Sequence, residues 1–324
     1  MNPVEIVVLG LIAGCTIFLG LPVGRMPASS TKLRALLNAV TIGVLLFLVW
    51  DVLSAAVEPV EGALQEATKG TGSWFGFAGL LIIFFGSIAI GLLSLVAYDR
   101  WVARRVTARA AAVAAATAAH AAHEAHAGDT TGAATGSTAV AAPATSAPAD
   151  GTAQVTIDRL QGAELGGVLR LHEPGSRLAF LIAVGIGLHN FAEGLAIGQS
   201  AAAGRLGLAV VLVIGFGLHN ATEGFGITAP LAGWSSKPSW GQLSLLGLIG
   251  GGPTFVGTVV GQLWVNDVVS IAFLSLAAGS ILYVIVQLVG VAMKFGRNHW
   301  LYTGLLIGLF AGFATDFIVS AGGA

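Results

Sequence analysis

Two consecutive apolar stretches, Leu178–Ser200 (LAFLIAVGIGLHNFAEGLAIGQS) and Leu206–Leu231 (LGLAVVLVIGFGLHNATEGFGITAPL), carry the same polar motif near their centres. As an α-helix, either one is long enough to cross the ~30 Å hydrocarbon core of a bilayer, which takes ~20 residues. Gly187-Leu188-His189-Asn190-Phe191-Ala192-Glu193-Gly194 in the first matches Gly217-Leu218-His219-Asn220-Ala221-Thr222-Glu223-Gly224 in the second. Six of the eight positions are identical, and the offset is 30 residues, one span and its short turn. His189 is the twelfth of 23 residues and His219 the fourteenth of 26, so both motifs fall near mid-depth. A charged group there costs about 3 kcal/mol or more, so four ionisable residues in two such segments need a reason.

Metal coordination supplies one. His and Glu four apart share one face of a helix, about 6 Å apart along the axis, and Asn borders that face. Consecutive spans run in opposite directions, so packing them side by side brings the two polar faces together at one depth. Two imidazoles and two carboxylates around a dication balance to zero charge. The donor set suits zinc and also accepts Fe(II), Mn(II), Co(II) or Cd(II). Asn190 and Asn220 either ligate weakly or orient the ligands. A plainer reading, paired buried polar groups that hold helices together, explains a lone histidine better than two matched copies.

Working outward, 55% of the 324 residues are hydrophobic and only 10% are charged, against roughly 25% in a soluble domain. That composition excludes a disordered chain, a secreted disulfide scaffold and an ordinary soluble enzyme. The net charge of −1 offers no field for nucleic acid, so none is expected as a partner. The single cysteine, Cys15, excludes intrachain disulfides. Six further stretches qualify as spans: Val4–Leu21, Leu36–Val57, Trp74–Ala97, Leu243–Trp264, Val268–Phe295 and Trp300–Val319. Pro22, Pro59 and Pro238 are expected just outside spans. Trp74, Trp101, Trp234, Trp240, Trp264 and Trp300 fall near span ends, as an aromatic belt requires. The fold expected is an all-α polytopic membrane protein of eight helices. With the N-terminus outside, thirteen of the 15 Lys and Arg lie in inside loops, which puts both termini on the extracytoplasmic side. The first span lacks a basic leader, and Glu5 stands where a signal peptide would carry Lys or Arg.

Three segments follow: 1–97 with spans one to three, a cytoplasmic Ala-rich segment over 98–177, and 178–321 with spans four to eight. In the middle segment Arg104 to Ala127 has helical propensity, and 128–155 reads as a flexible linker. His120, His123 and His126, beside Glu124, either hold arriving metal loosely or sit in a solvated spacer. His172 and His299 read as interfacial. Asp51 in span two and Asp316 in span eight lie toward the outer side. With Glu58 and Glu61 just beyond, they form a candidate acidic mouth that concentrates cations. Gly250-Gly251-Gly252-Pro253 in span six is either unwound backbone near the metal path or a closely packed kinked helix.

The motifs His189-Asn190-Phe191-Ala192-Glu193-Gly194 and His219-Asn220-Ala221-Thr222-Glu223-Gly224 resemble the paired signature of the ZIP (Zrt/Irt-like) family of divalent-metal transporters. The resemblance implies a 3+2+3 helix arrangement, a metal site between spans four and five, and metal uptake into the cytoplasm across the cell membrane. It implies a homodimer, and movement of spans one, four, five and six against two, three, seven and eight. The transported ion, Zn(II) first, is then the substrate, and no organic cofactor is implied. The sequence departs from the family pattern in places. Ala192 and Thr222 stand where Pro is frequent, and Gln287 stands where a related Glu is common. Gly252 replaces the Glu that precedes Pro in two-metal members, which favours one principal site. Two other functions fit a buried metal: an intramembrane metalloenzyme, disfavoured by the lack of a His-Glu-x-x-His pair, and a membrane metal sensor acting through the 98–177 segment.

Overall fold

The computed structural model describes residues 3–27, 30–129, 168–171, 173–202, 204, 206–231, 237–263, 266–294 and 299–321. Among these there are eight α-helices and no strand. They are α1 (Pro3–Cys15), α2 (Thr31–Thr68), α3 (Trp74–Asp129), α4 (Pro174–Ala202), α5 (Leu206–Thr228), α6 (Trp240–Gly261), α7 (Asp267–Lys294) and α8 (His299–Ala321). Seven helical segments among the described residues are long and apolar enough to cross a membrane.

The helix ends follow local chemistry. Thr16 Oγ1 donates to Ala13 O at 2.6 Å, a side-chain bond that competes with the helical ladder. From there the chain tightens into 3₁₀ turns over Thr16–Leu19 and Leu21–Arg25, with Pro22 at the start of the second. The span expected to run to Leu21 is therefore α-helical only to Cys15. Ser239 Oγ caps α6 by accepting from Gln242 N at 3.0 Å, and Asn266 Oδ1 caps α7 by accepting from Val269 N at 3.1 Å. α2 does not stop before Pro59 as expected. It runs through it for nine more residues, and the Ala55 carbonyl forgoes its helical donor. Gly70, at φ +73°, ends the run.

The chain forms two compact units, Met1–Val96 with Val168–Ala324, and Ala97–Gly167. In the second, Tyr98 stacks on Trp101 at 5.7 Å, and the Arg105 guanidinium lies 4.0 Å from the Trp101 ring centroid. α3 continues as helix to Asp129, so the propensity over Arg104–Ala127 is realised. The backbone at His120, His123 and His126 is helical, but their side chains lie outside the described residues. So do His172 and the linker positions 130–155.

Within the first unit, glycines let several helix pairs approach closely. A Cβ on Gly194 of α4 would strike the Thr254 carbonyl of α6, and one on Gly257 of α6 would strike the Phe191 carbonyl of α4. Gly14 and Gly251 join α1 to α6 backbone to backbone, and Gly20 and Gly224 join the turn after α1 to α5 in the same way. Gly43 and Gly308 do this for α2 and α8, and Gly91 and Gly279 for α3 and α7. Backbone approach through small residues is how helices associate tightly in lipid, where burial of apolar surface gives no drive. Between α4 and α7, and between α5 and α2, the glycines first meet side chains. Gly185 of α4 faces Val284 Cγ2, and Gly226 of α5 faces Thr41 Cγ2.

α6 stays helical through Gly250–Pro253, which decides for the closely packed helix over unwound backbone. Pro253 has no N–H for the Ile249 carbonyl, and Gly187 of α4 lies against that same carbonyl. Exposed Phe75, Ile82, Phe85 and Ile90 on α3, and Ile307, Phe310 and Phe317 on α8, give those helices apolar outer faces.

Candidate metal centre

α4 and α5 bring the two motifs together as the spacing predicts. One ligand atom each from His189, Glu193 and His219 lies within 4.8 Å of the others, and all three residues are buried. Glu193 Oε1 is the hub. His189 Nε2 lies 2.8 Å from it, one turn away on the same helix, and His219 Nε2 contacts the same oxygen from α5. The His189 nitrogen makes no aligned hydrogen bond there, so this approach is close without being a proper donor–acceptor pair. The two imidazole centroids are 6.1 Å apart. Glu223 stands back: its Oε1 is 4.0 Å from His189 Nε2, and neither carboxylate oxygen has a hydrogen-bond partner.

The asparagines are struts. Asn190 Nδ2 donates to the Gly250 carbonyl of α6 at 2.9 Å, and Asn220 Nδ2 donates to the Ala13 carbonyl of α1 at 3.1 Å. On both asparagines Oδ1 is buried without a hydrogen-bond partner. Glu193 Oε2 and His189 Nδ1 are likewise buried without partners. Buried polar atoms are normally paired. A concentration of unpaired acceptors around two imidazoles is the donor chemistry of a divalent cation of the Zn(II) type.

A cavity of ≈ 220 Å³ reaches this cluster. His189 and Glu193 line it from α4, His219 and Phe216 from α5, Phe47 and Asp51 from α2, Leu274 from α7, and Thr315 and Asp316 from α8. Asp51 and Asp316, named from the sequence as a mouth, thus share one cavity with the His–Glu cluster, whereas Glu58 and Glu61 are not among its lining residues. Sequence reasoning missed Phe216, whose ring centroid lies 5.5 Å from that of His219, and Phe47. Both sit one turn before a singled-out residue on the same helix face, which was the available signal.

A helical membrane protein with a buried His–Glu donor set at the floor of a cavity belongs, as a class, with proteins that handle divalent metal inside a bilayer. The family model for ZIP zinc transporters matches residues 4–320, and the chain belongs to that family. A search of curated proteins finds no match. ZIP proteins are transporters and not enzymes, so this is a membrane transporter of divalent metal ions, for which zinc is the typical substrate. The metalloenzyme reading is set aside.

Proposed function

We propose that the protein carries Zn(II), and less selectively Fe(II), Mn(II), Co(II) or Cd(II), across the cell membrane into the cytoplasm by alternating access. His189, Glu193 and His219 hold the ion, Glu223 joins as the fourth ligand once the ion draws it in, and Asn190 and Asn220 orient the site. Asp51 and Asp316 gather cations at the outer opening of the cavity. The observation that carries this reading is the convergence of the three donors within 4.8 Å of one another at the end of a cavity that Asp51 and Asp316 also line. Three nitrogen and oxygen ligands plus a fourth carboxylate suit a tetrahedral dication, and the two carboxylates neutralise its charge.

Support for movement comes from the two kinds of helix seam. α1 and α4 each meet α6, and the turn after α1 meets α5, through glycine-mediated backbone contact, whereas side chains meet glycine between α4 and α7 and between α5 and α2. A seam of side chains slides at lower cost than interdigitated backbones. The reading includes both termini outside, on the Lys and Arg distribution, the 3+2+3 arrangement, and a homodimer. The test is saturable zinc uptake into proteoliposomes holding the purified chain. Glu193→Ala combined with His219→Ala is expected to reduce it to the protein-free background; undiminished uptake would refute the site.

A further inference from the structure

The cavity is lined on α2 by Phe47, Leu48, Asp51 and Val52. About two turns nearer the start of α2, the same helix closes against α5. Thr41, fully buried, donates through Oγ1 to the Thr222 carbonyl at 2.9 Å, with the Leu37 carbonyl of its own helix 3.1 Å away as the alternative acceptor. Its methyl fills the space opposite Gly226, where a Cβ would come within 2.7 Å of it. The seam between α7 and α4 has a counterpart. Ser280, also fully buried, has its hydroxyl 3.0 Å from the Gly185 carbonyl and 2.7 Å from the Ala277 carbonyl of its own helix, so one proton serves a cross-helix and an intrahelical acceptor, and Val284 Cγ2 sits where a Cβ on Gly185 would go.

The two arrangements share a logic. Each acceptor lies beside a metal-binding residue: Thr222 immediately precedes Glu223, and Gly185 is one turn before His189. The donors stand on α2 and α7, the acceptors on α5 and α4. Each carbonyl sits inside a helix, where its regular partner is the N–H four residues on, so the hydroxyl bond is an addition that can break without unwinding either motif helix. Both bonds lie on the side of the donors away from Asp51 and Asp316. Past the Thr41 contact the seam widens only to a void of ≈ 10 Å³ between Arg34, Asn38, Phe225 and Ala229, room for about one water molecule.

We propose that the Thr41–Thr222 and Ser280–Gly185 hydrogen bonds are paired latches that hold shut the passage from the metal centre toward the end where α2 begins, and that both release when metal leaves by that end. The proposal rests on the transport reading for its purpose, but the closure itself is measurable without transport. In a Cys15→Ser background, which removes the one exposed native thiol, Ala229→Cys places a reporter beyond the Thr41 latch. Its rate of modification by a water-soluble methanethiosulfonate is read on the full-length protein in detergent. Removing one hydrogen bond shifts a two-state equilibrium by roughly two- to tenfold. Thr41→Val and Ser280→Ala are each expected to speed labelling by that factor, their combination by more, and Thr41→Ser, which keeps the hydroxyl but gives up the methyl, by less than Thr41→Val. Unchanged labelling in the double variant, or equal acceleration by Thr41→Ser and Thr41→Val, would overturn the proposal. Ser280→Ala removes a single oxygen and carries the test if Thr41→Val does not fold. Zinc uptake by the unaltered protein, measured in parallel, judges the transport reading separately: absent uptake defeats that reading, while the labelling rates still decide the latch.

Discussion

The two copies of the motif are nearly the same in sequence and unlike in surroundings. In α4, His189 and Glu193 are 1% and 4% exposed, and the helix packs against both α6 and α7. In α5, His219 is 9% exposed and borders the cavity beside Phe216. Glu193 is met by both imidazoles, whereas Glu223, fully buried, is met by neither as a hydrogen bond. Residue identity supplies matched donors, and the packing of each helix then decides which carboxylate becomes the centre.

That asymmetry orders the expected effects. Glu193→Ala takes away the shared oxygen, so zinc uptake should fall to background, and calorimetric titration should show no binding at the site. Glu223→Gln keeps the three-donor cluster. It should weaken zinc binding by about tenfold, in the range for a group one step from the metal centre, with uptake still measurable. Equal loss in the two variants would erase the distinction between the copies. Further from the centre, Asp51→Asn or Asp316→Asn should raise KM for uptake about threefold with kcat unchanged, and the difference should shrink in high salt as the field is screened. Smallest of all, Glu58→Gln and Glu61→Gln should change uptake by less than about twofold, because exposed charges outside the cavity act only through that screened field. A larger effect of Glu61 than of Asp51 would place the mouth further along α2 than the cavity does.

Much of this was open to reading from the chain. Seven of the eight expected spans coincide with helices long and apolar enough to cross a membrane, and they were legible because apolar runs of bilayer length, bounded by tryptophan and basic residues, leave few alternatives. The donor cluster was legible because His and Glu four apart must share a helix face. The hub role of Glu193 was not, since the motif is symmetric and only three-dimensional packing breaks the tie. Glycine serves unwinding and close approach equally, so the sequence leaves Gly250–Pro253 open, and the unbroken helix with the contact between Gly14 and Gly251 shows which applies. Pro59 was read as a boundary, yet α2 passes through it. Thr41 and Ser280 gave no signal, since single hydroxyls in apolar spans are common and their partners are backbone carbonyls far away in sequence.

The length of α2 has a mechanical corollary. Its 38 residues make a rod of about 57 Å at 1.5 Å per residue, nearly twice the ~30 Å thickness of the oily layer. Its far turns carry Glu58, Glu61 and Glu66, all exposed, and form a handle at that end of the helix. A binder gripping those turns would pull on the very helix that carries Asp51 and Thr41, without anything entering the cavity.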